Sequence, residues 1–203
     1  MKIVNTILKR IFDLFFSLLG IIIFLPIIVF FAILIYMFMS DGPIFYIQKR
    51  VGQYGELFSM IKFRTMLVNS DQSSVSVAGQ SRITKLGAFL RKYKIDELPS
   101  LINVFIGNMS FVGPRPDVPG YADQLIGEDR KILNLKPGIT GPATLKYSNE
   151  EELLSKVENP IEYSDNIIYP DKVKINLNYY YNNNIIIDLI LIIKTVFRIK
   201  HEE

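Results

Sequence analysis

Two adjacent carboxylates, Asp96 and Glu97, are the residues whose type and setting best suit chemistry. They precede a helical pattern of apolar residues over 98–105, so Asp96 can cap that helix and Glu97 fits its first turn. Backbone N–H groups at a helix N-terminus stabilise negative charge, and we therefore expect a lowered pKa for both carboxyls. Ionised carboxylates there suit a nucleophile or a metal ligand, and the same N–H groups can hold a phosphate. A purely structural cap followed by a favourable first-turn acid fits the same two residues.

Basic residues near this pair in the sequence could supply phosphate ligands. Lys62 and Arg64 alternate with apolar residues in a predicted strand, so we expect both side chains to project from one face. Arg115 stands between two prolines in a turn with little freedom, which suits fork-like recognition of phosphate. Further basic residues lie just upstream of the acidic pair: Arg82, Lys85, Arg91, Lys92 and Lys94. Each alone fits a solvated surface charge, but together they predict a site for a polyanionic substrate with a divalent metal.

The composition disfavours several other kinds of chemistry. The chain has no Cys and a single His, His201, which we expect to be inert. Cys chemistry is therefore excluded and His-based catalysis is disfavoured, and the metal expected here is a hard cation such as Mg²⁺ held by carboxylate oxygens. The sequence contains no Walker-type loop, GxGxxG, HExxH or GxSxG motif.

The net charge of +3 is unevenly distributed along the chain. Residues 1–100 contain twelve Lys or Arg against six Asp or Glu, whereas residues 101–203 contain eleven against fourteen. A basic half beside an apolar segment favours anionic lipid headgroups or phosphorylated substrates. Nucleic acid is not expected as a partner, because no nucleic-acid motif accompanies the charge.

The elements that must position these residues predict an α+β fold, mainly helical, with short strands. Strands are expected over 44–48 and 57–63, and helices over 86–93, 98–105 and 121–133. Gly107 is expected to end the second of these helices. The polar stretch 69–81 predicts a mobile loop, and the charged apolar segment 185–199 predicts an amphipathic helix at a membrane interface.

The apolar run Leu14–Met39 contains 26 residues without a charge. As a helix it would extend about 39 Å against a hydrocarbon core of about 30 Å, which predicts a membrane segment over 1–40 and a catalytic domain over 41–203. Pro26 favours a kink, and basic residues flank the run on both sides, which by the positive-inside rule places both flanks in the cytoplasm. From the residues alone, a kinked span and a re-entrant segment fit equally well.

A series of ordered motifs covering residues 7–200 resembles the bacterial sugar transferases, and within them the small monotopic phosphoglycosyl transferases that consist of the catalytic domain alone. The motifs are Lys9-Arg10-x-Phe12-Asp13, Pro26, Gly42-Pro43, Gln48-x-Arg50-x-Gly52, Lys62-Phe63-Arg64-Thr65-Met66, Arg82-x-Thr84-x-x-Gly87-x-x-Leu90-Arg91, Asp96-Glu97-Leu98-Pro99, Asn103-Val104, Met109-Ser110-x-Val112-Gly113-Pro114-Arg115-Pro116 and Lys136-Pro137-Gly138-Ile139-Thr140-Gly141.

The resemblance implies transfer of a sugar 1-phosphate from a UDP-sugar to undecaprenyl phosphate, with release of UMP, as the first membrane step of polysaccharide or glycoconjugate assembly. By resemblance, Asp96 is the nucleophile and a Mg²⁺ ligand, Glu97 assists by activating the acceptor or organising the site, and Arg115 holds phosphate or the nucleotide. The implied location is the cytoplasmic face of a bacterial inner membrane, with the run at Leu25-Pro26 re-entrant. Implied partners are membrane lipids, a second copy in a homodimer and downstream glycosyltransferases.

The chain departs from the family pattern at two positions. Leu25 stands where the family often has Ser before the proline, and Pro142-Ala143 follows Gly141 where many members have Trp-Ala.

A non-catalytic membrane adaptor with a basic lipid-binding face is one alternative function. A membrane-spanning enzyme of other phospholipid headgroup chemistry is another.

Overall fold

The fold is α+β, as expected, and was determined as a computed structural model that describes residues 2–68 and 83–197, without the side chains of residues 2–4 and 151. The expected loop at 69–81, together with Arg82 and His201, lies outside the described residues. The helices are α1 Lys2–Phe38, α2 Lys85–Lys92, α3 Leu101–Ile106, α4 Pro142–Lys146, α5 Glu150–Leu154, α6 Pro160–Tyr163, α7 Tyr169–Asn182 and α8 Ile185–Val196. The strands are β1 Phe45–Val51, β2 Leu57–Phe63, β3 Ser110–Val112 and β4 Gly138–Thr140.

The strands form two small sheets. β1 and β2 pair as an antiparallel hairpin in which Phe45 lies opposite Phe63 and Val51 opposite Leu57. Tyr54 has a positive φ of 61°, which closes the tight turn between these strands. β3 and β4 form a parallel pair. The predicted strands are therefore confirmed.

One predicted helix is wrong. Instead of a helix over 121–133 the chain makes two short 3-10 turns, Ala122–Gln124 and Asp129–Asn134. Gly127 lies between them with a positive φ of 59°. A left-handed residue at that point ends any right-handed helix, so the apolar spacing cannot be used by one continuous helix.

The long helix α1 is continuous and contains Pro26 within it. If the expected re-entrant segment is taken as two helices separated by a break at Leu25-Pro26, that break is wrong, since proline removes one backbone hydrogen bond and bends a helix without ending it. Among the described residues one helix, Asn5–Phe38, is long and apolar enough to cross a membrane. Large apolar side chains are exposed along it from Ile7 to Phe38.

α1 contacts the rest of the chain along its length. Near its start, the buried carboxylate of Asp13 accepts hydrogen bonds from the Ser110 hydroxyl and the Phe111 N–H, both at 3.1 Å. Near its end, Ile35 packs in a buried cluster with Phe63 of β2. Both ends of the helix therefore lie against the same folded domain.

A second apolar surface is formed by α8, whose helix starts where the Asn184 side chain accepts hydrogen bonds from the N–H groups of Ile186 and Ile187. Leu191 is buried on one side of α8. The large apolar side chains that α8 exposes are Ile186, Leu189, Ile190, Ile193 and Val196. This distribution is that of an amphipathic helix with an open apolar face.

Candidate active site

Asp96 lies in a 3-10 helix, Ile95–Ser100, that joins α2 to α3. Lys94, which precedes it, has a left-handed backbone with φ 58°, so the chain reverses after α2 and the helical turn starts at Ile95. Asp96 is therefore inside the first turn, and the prediction that it caps the helix is wrong. Gly107, with φ 99°, ends α3 as predicted.

The Asp96 carboxyl is buried, with 9% of the residue exposed. Its Oδ1 atom has no hydrogen-bond partner within the described part of the chain. Burial, reinforced by the negative charge of Glu97, raises the pKa of Asp96, although the charges of Lys62, Lys94 and Arg91 oppose this shift. The expected lowering of the Asp96 pKa is thus wrong, because the cost of burial exceeds the help from nearby positive charge.

Glu97 differs sharply from its neighbour. Its Oε1 accepts hydrogen bonds from Lys62 Nζ at 2.8 Å and Arg115 Nη2 at 2.7 Å. Burial alone would raise the Glu97 pKa, but the charges and hydrogen bonds of Arg115 and Lys62 together hold it well below its usual range. Glu97 is therefore ionised at neutral pH, which suits it to fix two cations and not to accept a proton. We call Lys62, Glu97 and Arg115 the ion cluster.

Two turns pack closely to position Arg115. The N–H of Gly113 donates to the Thr140 carbonyl at 2.9 Å, and the N–H of Gly138 donates to the Pro114 carbonyl at 2.7 Å. A Cβ at Gly113 would lie 2.2 Å from the Lys136 carbonyl oxygen, so only glycine allows this approach. The proline-flanked turn is thereby fixed with Arg115 facing Glu97.

Arg64 does not share the site with Lys62. Its guanidinium is buried and donates to Asp41 Oδ1 and the Pro43 carbonyl, both at 2.7 Å, and also to the carbonyls of Met39 and Gly42. The expectation that both side chains project toward one substrate is wrong, because β2 ends at Phe63 and the strand alternation ends with it. Arg64 instead connects β2 to the turn after α1. We call Arg64 and Asp41, together with the carbonyls of Met39, Gly42 and Pro43, the turn cluster.

The other predicted residues take varied places. Arg91 lies in the last turn of α2 and its charge acts on Asp96. Leu25 is half exposed on α1, and Pro26 lines an apolar groove described below.

Two concave spaces meet beside Asp96. A cavity of about 960 Å³ is lined by Glu97 and Arg115 of the ion cluster and extends to α7. An apolar groove of about 540 Å³ runs along α1 past Pro26. Both are bordered by Phe24, Lys94 and Leu98. Asp96 itself lines neither space, but the residue before it, Ile95, lines the groove and the residue after it, Glu97, lines the cavity.

The bacterial sugar transferase family model matches residues 4–202, nearly the whole chain. The chain belongs to the bacterial sugar transferase family.

Three relatives show how this transferase compares with individual proteins. A putative undecaprenyl-phosphate N-acetylgalactosaminyl 1-phosphate transferase of Bacillus subtilis (strain 168) is 39% identical over 150 residues, covering 70% of this chain and 79% of the relative. A UDP-glucose:undecaprenyl-phosphate glucose-1-phosphate transferase of Klebsiella pneumoniae is 35% identical over 201 residues, covering 96% and 40%. A UDP-N-acetylgalactosamine-undecaprenyl-phosphate N-acetylgalactosaminephosphotransferase of Aeromonas hydrophila is 32% identical over 199 residues, covering 93% and 43%. The transferase thus matches less than half the length of the last two.

Mg²⁺ is the metal that the sequence predicts for the transferase. Within residues 2–68 and 83–197, no three Asp, Glu or His side chains come together as a metal cage. Protein-bound Mg²⁺ usually takes one or two carboxylates and completes its shell with water and substrate phosphates. The partnerless Oδ1 of Asp96 fits that role, whereas Oε1 of Glu97 is already engaged by two cations.

Sequence reasoning missed Asp117, and it counted Lys94 only as one of the basic residues upstream of the acidic pair. Lys94 borders both spaces, and only its left-handed backbone, which no local pattern predicted, places it there. Asp117 lines the cavity together with residues of α7 that are more than fifty positions away in the sequence. Its place two residues after Arg115 was the only signal available.

Proposed function

We propose that this transferase moves a sugar 1-phosphate from a UDP-sugar to undecaprenyl phosphate and releases UMP, through a phosphosugar covalently bound to Asp96. The Bacillus subtilis and Klebsiella pneumoniae relatives are named as undecaprenyl-phosphate transferases of N-acetylgalactosaminyl 1-phosphate and of glucose 1-phosphate. Their chemistry supports the general reaction for this chain. The sugar that it uses is left to experiment.

The observation that carries the proposal is the position of Asp96. Its neighbour Ile95 lines the apolar groove, and its neighbour Glu97 lines the larger cavity beside the charged side chain of Arg115. A lipid phosphate needs an apolar path for its tail, and a nucleotide sugar needs charged and hydrogen-bonding groups, which the cavity supplies at Arg115, Asp117 and Lys172. A carboxylate whose two chain neighbours line these spaces can react first with one substrate and then with the other.

In the first step, the donor diphosphate lies beside the ion cluster, where two cations face one carboxylate. Arg115 and Lys62 offset the negative charge of the diphosphate and favour the greater charge of the transition state. A carboxylate oxygen of Asp96 attacks the sugar-bearing phosphorus, a new P–O bond forms, and the bond to the bridging oxygen breaks. UMP leaves with that oxygen and its electron pair.

In the second step, the phosphate of undecaprenyl phosphate approaches along the groove, with Lys94 at its end. One of its oxygens attacks the same phosphorus, and the bond to Asp96 breaks. The products are undecaprenyl diphosphate-sugar and the free carboxylate. The raised pKa of Asp96 fits a nucleophile that is poorly stabilised in its free form.

Mg²⁺ is proposed as the cofactor, held by Asp96 together with substrate phosphates. When bound, it would neutralise charge on the diphosphate. Glu97 then acts through Lys62 and Arg115, whose positions it fixes, and the acceptor-activating role is disfavoured by its lowered pKa.

We further propose that α1 enters and leaves the membrane by the cytoplasmic face of a bacterial inner membrane. Contacts of Asp13 with Ser110 and Phe111, and of Ile35 with Phe63, support this placement, because both halves of α1 pack on one domain. The open apolar face of α8 supports an interfacial position for the same domain. A homodimer and downstream glycosyltransferases stay predictions from the family resemblance.

Covalent labelling tests the reaction directly. The full chain in detergent, with Mg²⁺ and a panel of UDP-sugars carrying ³²P in the β-phosphate, is expected to retain label on the protein when no lipid acceptor is present. Added undecaprenyl phosphate should discharge the label. Asp96→Asn is expected to remain unlabelled, and the control Asp129→Asn, at an exposed carboxylate, should label like the wild type. Equal labelling of Asp96→Asn would overturn the nucleophile assignment.

Cysteine labelling tests the membrane placement. Because the chain has no Cys, Ile7→Cys and Ser40→Cys each introduce a single thiol at an exposed position near one end of α1. In sealed inverted vesicles both are expected to react with a membrane-impermeant reagent. Reaction at only one of the two would show a spanning helix.

A further inference from the structure

One face of α7 forms a wall of the larger cavity. Tyr169, Lys172, Val173 and Asn176 recur at i, i+3, i+4 and i+7 and all line it. A π-helical turn, Ser164–Ile168, immediately precedes them and offsets the register of the helix. The cavity therefore has a built polar wall that the ion cluster does not use.

Three polar atoms on this wall and on α4 are buried without a hydrogen-bond partner in the described ranges. They are the Asn176 Oδ1, the Tyr169 hydroxyl and the Thr144 hydroxyl. Asn176 is only 7% exposed. Buried polar groups in folded proteins are nearly always satisfied by protein, water or ligand. Three such atoms around one cavity indicate an occupant with several hydrogen-bonding groups.

Asp117 lies at the same cavity, and within residues 2–68 and 83–197 its carboxylate has no direct partner. Its charged neighbours are engaged elsewhere, since Lys172 pairs with Glu150 at 2.7 Å and Arg50 donates to Gln48. No side chain in the described segments donates a hydrogen bond to Asp117. Burial raises the pKa of this carboxyl to about 6, although the charges of Lys172 and Arg50 lower it. A hydrogen-bond donor from a ligand would stabilise its ionised form.

The chemistry of this wall favours a sugar over a nucleobase. The Asp117 carboxylate and the Asn176 carbonyl oxygen are acceptors, and the two hydroxyls can accept as well. A sugar ring offers several O–H donors, and an acetamido sugar adds an N–H. Uracil offers a single ring N–H and two carbonyl oxygens, which a carboxylate would repel.

We propose that Asp117, Thr144, Tyr169 and Asn176, together the glycosyl chamber, bind the sugar ring of the donor and determine which sugar is transferred. This assignment rests on the proposed function, since the cavity continues from the chamber to Glu97 and Arg115, where the donor diphosphate is placed. Sugar hydroxyls donate to Asp117 and Asn176, and the hydroxyls of Thr144 and Tyr169 complete the contacts. A site of buried acceptors discriminates against sugars whose donors are misplaced, because a buried acceptor is then left unpaired.

The test compares UDP-sugar turnover with inhibition by UMP, which lacks the sugar. Asn176→Leu and Thr144→Val remove partnerless polar atoms at nearly constant volume, so both variants are expected to fold, with a melting temperature at or above that of the wild type. Asn178→Leu is the matched control, because Asn178 is exposed on the same helix. UMP release is measured across a panel of UDP-sugars, including glucose, galactose and their N-acetyl forms, in detergent with Mg²⁺ and undecaprenyl phosphate.

We expect Asn176→Leu to lower kcat/KM for the preferred donor about 10-fold or more and to change the order of preference among donors. Inhibition by UMP should change by less than about 2-fold, and Asn178→Leu should match the wild type in both measurements. A parallel loss of UMP inhibition would overturn the assignment in favour of a nucleoside pocket. Unchanged turnover and preference in both variants would overturn it as well. Failure of the wild type to release UMP from any donor would instead count against the proposed function.

Discussion

Lys62 and Arg64 stand two residues apart in the sequence and belong to two different regions of the molecule. Both are shielded from solvent and both pair with a carboxylate, Lys62 with Glu97 and Arg64 with Asp41. The ion cluster opens on the cavity, whereas the turn cluster closes the connection between α1 and β2. The same residue types thus produce a binding site in one place and a joint in the other.

The difference lies in how the charges and donors are balanced. In the turn cluster, one guanidinium faces one carboxylate and three backbone carbonyls, so its donors are used within the protein. In the ion cluster, Lys62 and Arg115 share a single oxygen of Glu97, and the cations exceed the carboxylate that holds them. An excess of cations at a cavity attracts an anionic ligand, and a balanced buried pair does not. The excess therefore distinguishes the binding region from the joint.

The largest expected contrast comes from the same substitution made at Asp96, beside the ion cluster, and at Asp41 of the turn cluster. Asp96→Asn should lower transferase activity by about 10³-fold or more, because an amide cannot form the covalent intermediate. Its melting temperature should equal or exceed that of the wild type, since burial already disfavours the charged form. Asp41→Asn should lower the melting temperature and leave kcat per folded molecule near the wild-type value. UMP release and thermal unfolding of both variants in detergent measure this contrast, and substantial activity in Asp96→Asn would contradict it.

The two cations give the next largest contrast. Lys62→Met should reduce kcat/KM by about 100-fold through loss of diphosphate stabilisation. Arg64→Met should instead lower the free energy of unfolding by about 3 kcal/mol, because several buried carbonyls lose their donor. Measuring kcat/KM and denaturant unfolding for both variants separates the roles. A large loss of activity in folded Arg64→Met would show that the joint also serves the substrate.

These regions also show how far the sequence could predict the site. The ordered motifs contain Asp96, Glu97, Lys62 and Arg115. The sequence alone therefore predicted that carboxylates and cations form one site. The roles within the group depended on burial, which sequence patterns report poorly: Asp96 and Glu97 are adjacent, yet their pKa values move in opposite directions. Only the fold shows which carboxylate receives the cations.

The fold was predicted best where local patterns decide the structure. The hairpin strands and the end of α3 at Gly107 follow from alternation and from a glycine with a positive φ. The predictions failed where one backbone angle overrides the pattern, at Lys94 and at Gly127. The glycosyl chamber could not be predicted, because Asp117 and Asn176 come together only through packing of distant segments.

The pH dependence of stability sharpens the contrast within the ion cluster. A carboxyl whose pKa is lowered on folding stabilises the protein above its unfolded pKa, and this contribution is lost as pH falls toward its folded pKa. Glu97→Gln should therefore lower the melting temperature at pH 7 by several degrees, about 2–4 °C for each kcal/mol lost. The gap to the wild type should narrow as pH falls below about 4. A gap that is constant with pH would mean that packing, and not the ion pairs, stabilises Glu97.

Asp117 gives the smallest expected effect and the opposite sign, since it is a shielded carboxyl without the direct partners that Glu97 has. Its pKa is raised to about 6 from 3.8, so its stabilising contribution is present at low pH and is lost as pH rises between these values. Asp117→Asn stays neutral and should raise the melting temperature by about 2–4 °C at pH 8, with no gain near pH 4. Thermal unfolding at both pH values, with the exposed-site variant Asp129→Asn as control, measures the difference. A loss of stability in Asp117→Asn at pH 8 would show that Lys172 and Arg50 stabilise the Asp117 carboxylate. The cavity would then contain, beside the cation-rich ion cluster, a group whose charges are balanced as they are in the turn cluster.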